Sequence, residues 1–318
     1  MPKALITGIT GQTGGYLCEH LTSQGWDVHG VVRDADELVP AFHDRSPDAT
    51  LHSGDLGSGE QLSSIVMNVS PDAIFNLGGL SSVALSWERP ELTGRITGLG
   101  VASLLDAAWR LRESSGRRVG FVQASSAEIF GYATEIPQNE QTPIRPTNPY
   151  GAAKAYAHHL VGVYRRLGLE ASSCILYNHE SPRRPGGFVT RKITQGVARI
   201  ASGKASSLTL GNLDATRDWG WAPDYARAIA LAAATPGDYI VATGEPHTVR
   251  DFVEAAFAAV GISDWEKYIR QDAAFMRPSD APALVGDPSH AREALGWTPT
   301  ATFSDIVRLM VENDLAEI

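Results

Sequence analysis

Residues 4–17 read Ala-Leu-Ile-Thr-Gly-Ile-Thr-Gly-Gln-Thr-Gly-Gly-Tyr-Leu. A short apolar run stops at Gly8, continues through the spacing Gly8-x-x-Gly11-x-x-Gly14, and passes straight into a helical pattern. A strand that turns at once into a helix leaves the first helical N–H groups pointing at open space. A pyrophosphate fits there, held by backbone donors and the helix dipole. Glycines let the backbone approach phosphates without a Cβ in the way. Three glycines alone would also fit a plain tight turn. Their place at the start of a strand–helix–strand pattern points to a dinucleotide, with Gly8, Thr10, Gly11, Gln12, Thr13 and Gly14 as its cradle.

Apolar runs and helical patterns alternate through the first half of the chain. Strands are predicted at Lys3–Thr7, Asp27–Val32, Thr50–Ser53, Ala73–Leu77, Val119–Ala124 and Glu170–Tyr177, with helices such as Ser58–Asn68 and Gly98–Glu113 between them. This alternation implies an α/β fold, a Rossmann-like doubly wound parallel sheet. The second half has a different texture. A Pro/Gly/Arg-rich loop at Pro182–Gly187 precedes a predicted helix at Phe188–Ser202. A polar, aromatic stretch at Thr216–Tyr225 precedes another at Thr248–Val260. The division expected is a dinucleotide-binding domain over residues 1–177 and a smaller, C-terminal, mainly substrate-binding lobe over 178–318. The chain is expected to return to the sheet over 214–244, with a strand around Tyr239–Ala242.

Three strand ends add candidates for cofactor contact. The second strand runs into Arg33-Asp34, where the adenosine ribose lies in such folds. An arginine favours NADP through the 2′-phosphate, an acid NAD through the 2′-hydroxyl. Arg33 follows the strand directly, so NADP is the reading and NAD the alternative. Asp55 and Leu56 follow the third strand, near an adenine edge. Leu77, Gly78, Gly79 and Ser81 follow the fourth, where small residues let the backbone lie beside a cofactor.

Composition narrows the classes. The chain has 318 residues, 43% of them apolar and 20% charged, in the range of ordinary globular proteins. A net charge of −9 argues against a nucleic-acid surface. No apolar run reaches spanning length and no targeting pattern appears, so no membrane partner and a cytoplasmic location are expected. Cys18 and Cys174 have no metal-ligand spacing and read as buried thiols; no metal site is expected.

Tyr150 and Lys154 stand four apart in Tyr-Gly-Ala-Ala-Lys. If Asn148-Pro149 begins a helix, both lie on one face. A lysine beside a phenol stabilises the phenolate, which can take a hydroxyl proton while hydride leaves the same carbon. The pattern is common by chance; downstream of the glycine fingerprint it is a candidate oxidation site. The fifth strand ends Gln123-Ala-Ser-Ser-Ala-Glu. Ser125 or Ser126 can bond a substrate oxygen there. Glu128 can remove the acidified proton beside a new ketone, a base that a dehydratase needs and a simple epimerase or reductase does not.

These motifs resemble those of the extended short-chain dehydrogenase/reductase type, and along nearly the whole chain they resemble the GDP-mannose 4,6-dehydratase family. The most specific stretches are Tyr177-Asn-His-Glu-Ser-Pro-Arg-Arg184, Phe188-Val-Thr-Arg-Lys-Ile193, Leu210–Gly220, Ala242–Arg250, Arg277-Pro-Ser-Asp280 and Gly286–Trp297. The resemblance implies a reaction centre of Ser126, Glu128, Tyr150 and Lys154. It implies NADP contacts from Lys154, His179 and Arg184. It implies a nucleotide-sugar site lined by Ser82, Asn178, Val189, Lys192, Gly211, Asn212, Arg217 and Arg277. Lys192, Arg217 and Arg277 would supply the positive charge that a sugar diphosphate needs.

Three positions depart from the family pattern. Ala127 stands where the family has a hydroxyl residue. Arg33-Asp34 replaces paired arginines, before a loop that looks shortened. Ser81-Ser82-Val83 replaces a usual histidine. That loop reaches a neighbouring subunit's cofactor in the family, so a homo-oligomer is expected, with dimer or tetramer open. The reaction implied converts GDP-D-mannose to its 4-keto-6-deoxy sugar: oxidation at C4, loss of water across C5 and C6, and hydride return to C6. The rivals are another sugar-nucleotide epimerase, reductase or dehydratase, for example on a GDP-heptose, and an idle protein that binds NADP and a nucleotide sugar.

Overall fold

The structure, a computed structural model, describes residues 1–34, 36–272 and 283–318. Arg277 lies outside the described residues. Seven strands form the main sheet: β1 (Lys3–Thr7), β2 (Asp27–Val32), β3 (Thr50–Ser53), β4 (Ala73–Asn76), β5 (Gly120–Ser126), β6 (Glu170–Leu176) and, after three shorter strands, β10 (Asp238–Val241). Their order is β10-β6-β5-β4-β1-β2-β3 and every pairing is parallel. The order reverses at β1, so a crevice opens between the ends of β1 and β4, where such folds bind ligands. The doubly wound sheet is as expected, and β10 is the returning strand.

β4 and β5 are buried at every residue, which is why they read as continuous apolar runs rather than alternating ones. One face packs Ile6, Ile9 and Leu17 with Tyr225 and Ile229 of the Ala222–Ala232 helix. The other packs Leu5, Ile74 and Phe121 under the helices Gly59–Val69, Gly100–Ser115 and Pro149–Arg166. Cys18 and Cys174 are both buried free thiols. A separate core gathers Ile193, Val197, Trp219, Phe252, Phe257 and Met310 around the helices Val189–Ala201, Val249–Ala258 and Phe303–Ala316.

The second lobe carries the short strands β7 (Asn178–Glu180), β8 (Leu208–Leu210), β9 (Thr216–Trp221), β11 (Pro246–Thr248), β12 (Ile269–Gln271) and β13 (Ala283–Leu284). β9 pairs with β7 and β13 in parallel and with β11 antiparallel. Buried Asp218 fastens this sheet to the main one. Its carboxylate accepts from the Thr243 N–H (2.9 Å), the Thr243 hydroxyl (2.7 Å) and the Gly244 N–H (2.8 Å), just past β10.

Several boundaries differ from the sequence reading. β5 runs to Ser126 rather than Ala124, because its pairing with β6 continues through Ser126 and Leu176. Leu77 and Tyr177 fall just outside β4 and β6. The helix expected from Gly98 begins at Gly100, after a wider π-type turn at Gly94–Leu99. Among the described residues, no helix is long and apolar enough to cross a membrane.

Candidate active site

The fingerprint turn is set by clearances. Gly8 has φ +68°, and a Cβ there would sit 2.8 Å from the Gly78 Cα. A Cβ on Gly14 would sit 2.2 Å from the Gly8 carbonyl oxygen. The Gly11 N–H closes the turn on that same carbonyl at 3.1 Å. The helix Gln12–Ser23 then starts with no side-chain cap and no acid in its first turn. Its open N–H groups fit an anionic group, the pyrophosphate of a dinucleotide.

The polar residues of the turn are tied to their surroundings. Thr10 Oγ1 donates to Asp36 Oδ2 at 2.8 Å. Gln12 is buried; its amide donates to the His179 carbonyl (2.9 Å) and accepts from Ser181 (2.7 Å). His179 Nδ1 lies 2.8 Å from the Tyr177 carbonyl, which can only accept, so Nδ1 carries the proton and Nε2 accepts from Thr13 Oγ1 at 2.7 Å. Burial and then the Arg184 cation hold this imidazole down to about 4, so it is neutral at pH 7. It also stacks on Tyr225. These bonds bolt the fingerprint helix to β7.

At the ribose end, Asp34 accepts from Ser53 Oγ while Arg33 is exposed. The acid is turned onto β3 and the guanidinium is left accessible, an arrangement that fits a 2′-phosphate. Asp55 caps its own turn, accepting from the Gly57 N–H at 2.6 Å. Leu56 packs over Gly78, leaving no room there for a side chain. Gly79 and Ser81 are exposed, and Ser82 caps the short helix Val83–Glu88 through the Leu85 N–H.

A buried hydrogen-bond chain crosses the strand tips. The Gly78 N–H donates to Thr7 Oγ1 (3.0 Å), Thr7 to Asn76 Oδ1 (2.5 Å), and Asn76 Nδ2 to Gln123 Oε1 (2.7 Å). Gln123 Nε2 donates to the Ala124 carbonyl (2.7 Å), which also accepts from Lys154 Nζ at 2.6 Å. The loop beside the cofactor crevice is thus linked to the lysine of the Tyr/Lys pair.

Asn148 caps the helix Pro149–Arg166 and Pro149 occupies its first turn, so Tyr150 and Lys154 share one face as expected. Lys154 Nζ lies 5.8 Å from the Tyr150 ring centre. The expectation that this lysine lowers the phenol is not met in the resting protein. Tyr150 is pushed up to about 12, first by burial and then by Glu128. A hydrogen bond from Ser126 and the Arg184 cation pull the other way. Lys154 is itself brought down to about 8 by burial, and its Nζ is committed to the Ala124 carbonyl.

Ser126 also accepts from the Glu128 N–H at 3.2 Å, starting the single 3-10 turn Ala127–Ile129. Glu128 sits in that turn rather than in a helix, half-buried, and its Oε2 accepts from Asn148 Nδ2 at 2.8 Å. Ala127, where a hydroxyl was expected, is buried among Ile129, Phe130 and Tyr177. Ser125 Oγ is buried without a hydrogen-bond partner among the described residues. Arg184 pairs with buried Glu180 (3.2 Å) and lies 3.7 Å over the Phe188 ring.

Apart from Ser82 and the undescribed Arg277, the residues expected to hold a nucleotide sugar lie on the second lobe. Asn178 is on β7, and exposed Val189 opens the Val189–Ala201 helix that also carries Lys192. Lys192 is lowered, by burial first, with Asp272 acting against it. Gly211 and Asn212 follow β8, and the Asn212 side chain accepts from the Asp214 N–H. Arg217 is on β9, buried, with Nη1 donating to the Thr216 carbonyl at 2.7 Å. Thr7, Asn76, Gln123, Asn148 and Ser181 received no role from the sequence. Asn148 alone carried a signal, as a capping residue before Pro149.

The sequence pattern of GDP-mannose 4,6-dehydratase matches residues 5–310. "GDP-mannose 4,6 dehydratase 1" of Arabidopsis thaliana is 41% identical over 98% of this chain and 89% of its own. The Yersinia enterocolitica GDP-mannose 4,6-dehydratase is 40% identical over 100% and 95%, and the human protein 41% over 98% and 91%. Among solved structures, a UDP-glucose 4-epimerase from Thermotoga maritima with UDP-glucose superposes with a TM-score of 0.85, 23% identity and 98% of each chain. One from Thermus thermophilus in complex with NAD gives 0.84, 27% identity, and 99% and 100%. Identity sustained across both lobes, on a site of this geometry, leads to one assignment: the chain belongs to the GDP-mannose 4,6-dehydratase family.

Proposed function

We propose that the protein is a nucleotide-sugar 4,6-dehydratase, a hydro-lyase that converts GDP-D-mannose to GDP-4-keto-6-deoxy-D-mannose with NADP. The observation that carries this reading is Glu128, a carboxylate held at the tip of β5 within electrostatic reach of Tyr150. NADP held on the Gly8–Gly14 turn would supply the hydride acceptor for C4 and the hydride donor for C6, which would make the reaction redox-neutral overall. Tyr150 takes the proton of the C4 hydroxyl, with Ser126 bonded to the phenol and orienting the same oxygen. Cations bring the buried phenol toward its reactive form: Arg184 acts this way at rest, and Lys154 lies one turn along the helix. Glu128 removes the C5 proton once the C4 ketone acidifies it. It hands that proton to the departing C6 hydroxyl, which leaves as water. Once hydride is back on C6, the enolate takes a proton from solvent at C5 through Glu128, which balances the C4 hydroxyl proton that Tyr150 releases.

Arg33 reads the 2′-phosphate, and the Gly8–Gly14 turn holds the pyrophosphate. Lys192, Arg217 and Arg277 neutralise the sugar diphosphate, and Asn178, Val189, Gly211 and Asn212 line its nucleotide and sugar. The enzyme works as a homo-oligomer. Purified protein incubated with GDP-mannose should yield a product lighter by one water with no net NADPH. Inert GDP-mannose alongside turnover of a UDP- or dTDP-hexose would reject the substrate.

A further inference from the structure

The asparagine at 148 does more than start a helix. Its Oδ1 accepts from the Gly151 N–H at 2.8 Å, an ordinary N-cap that serine or aspartate would form equally well. Its Nδ2 donates to Glu128 Oε2 at 2.8 Å, a second contact that an ionised aspartate could not make. The side chain is buried. Next to it, Gly151 lets the first turn of the helix close directly on Glu128. A Cβ there would lie 2.5 Å from the Glu128 carbonyl oxygen. One amide therefore spans the helix that carries Tyr150 and the turn that carries Glu128.

We propose that Asn148 is a positioning residue that aims the Glu128 carboxylate at the substrate C5–H and fixes it relative to Tyr150. The inference rests on the reading of Glu128 as the C5 base. A carboxylate on a two-residue excursion from a strand has rotamers that face solvent as well as the site. A donor fixed to the tyrosine helix selects one of them. Oxidation at C4, which needs Tyr150 but not Glu128, does not depend on this contact.

The test uses the holoenzyme and three variants. Asn148→Gly is tolerated at a helix cap and removes the donor. Asn148→Asp keeps a strong cap and places a like charge against Glu128. Glu128→Gln is the reference. In a single turnover with excess GDP-mannose, NADPH absorbance reports C4 oxidation, and uptake of solvent deuterium at C5 reports proton removal. Asn148→Gly should oxidise C4 at the parent rate and exchange C5 roughly 10–100-fold more slowly, the loss of one charge-assisted hydrogen bond, while melting close to the parent. Asn148→Asp should exchange C5 more slowly still and melt lower, because it buries a second carboxylate beside Glu128. Parent-rate C5 exchange in both Asn148 variants, with Glu128→Gln impaired, would overturn the positioning role alone. Equal loss of oxidation and exchange would also overturn it, since that marks a general structural effect. Parent-rate exchange in Glu128→Gln would instead remove the base reading, and this inference with it.

Discussion

The turn Gly8–Gly14 and the strand tip Ser125–Glu128 sit at the same end of one sheet and are built by opposite means. In the turn the ligand-facing groups are backbone N–H donors, and the requirement on the sequence is the absence of side chains at Gly8 and Gly14. At the strand tip the working groups are side chains, each held by a polar partner from a distant segment: Glu128 by Asn148, Tyr150 by Ser126, Lys154 by the Ala124 carbonyl. A backbone site fails as a unit when one Cβ is added. A side-chain site fails by steps, because each partner can be removed while the fold stays.

The largest effect should therefore come from the turn. Gly14→Ala puts a Cβ 2.2 Å from the Gly8 carbonyl oxygen and 2.7 Å from the Ile9 Cα, and backbone atoms cannot swing aside. Loss of bound NADP and a lower melting temperature should appear together. Tight cofactor retention by this variant would show that the turn has slack, and the contrast would collapse.

Next come the reacting side chains. Tyr150→Phe and Glu128→Gln should each lose about 10²–10⁴-fold in turnover, the usual cost of removing a general base, with melting close to the parent. They should fail differently. Tyr150→Phe should form no NADPH, and Glu128→Gln should form it and hold it. If both stop before oxidation, Glu128 acts on the first step and the graded picture of the strand tip is wrong.

The two regions also differ in how far they could be read beforehand. The glycine turn was legible because its constraint is local: strand, turn and helix follow one another within the first 23 residues. The inner strands β1 and β4 were legible because burial on both faces writes short unbroken apolar runs. Tyr150, Lys154, Ser126 and Glu128 were legible by residue type and spacing. Their supports were not. Thr7, Asn76 and Gln123 look like ordinary strand-end polars, and their bonds join residues 69 and 47 positions apart. The second-lobe strands β7, β8 and β13 have three residues or fewer, too short for any periodicity to register. That Tyr150 is pushed up at rest was not legible because burial, the largest cause, is a tertiary fact.

A smaller effect sharpens the comparison within the cofactor site, at a place where that site relies on a side chain. Arg33→Ala should weaken NADP about tenfold or more, for a charge-assisted contact of roughly 1.5–3 kcal/mol, and leave NAD nearly unchanged. Binding titrations with both cofactors decide it. Equal loss for both would mean that Asp34, despite its bond to Ser53, reads the ribose.

The smallest effect concerns His179, which bolts the fingerprint helix to β7 through Thr13. Burial and Arg184 lower its folded pKa to about 4, below the unfolded histidine value near 6.5. Between these values the unfolded chain binds a proton that the native protein refuses, so stability must fall as the pH falls. The loss begins near pH 6.5, grows by up to about 1.4 kcal/mol per pH unit, and levels off as the native imidazole titrates near 4. At pH 5.5 it should amount to about 1 kcal/mol. His179→Gln removes the titration and keeps a polar side chain, so urea midpoints for the variant and the parent should converge between pH 7 and 5 even if the variant starts lower. Parallel curves over that range would mean that His179 takes a proton in the native state as readily as in the unfolded chain. The Thr13 hydroxyl would then no longer have an acceptor, and the bolt would be looser than its 2.7 Å contact implies.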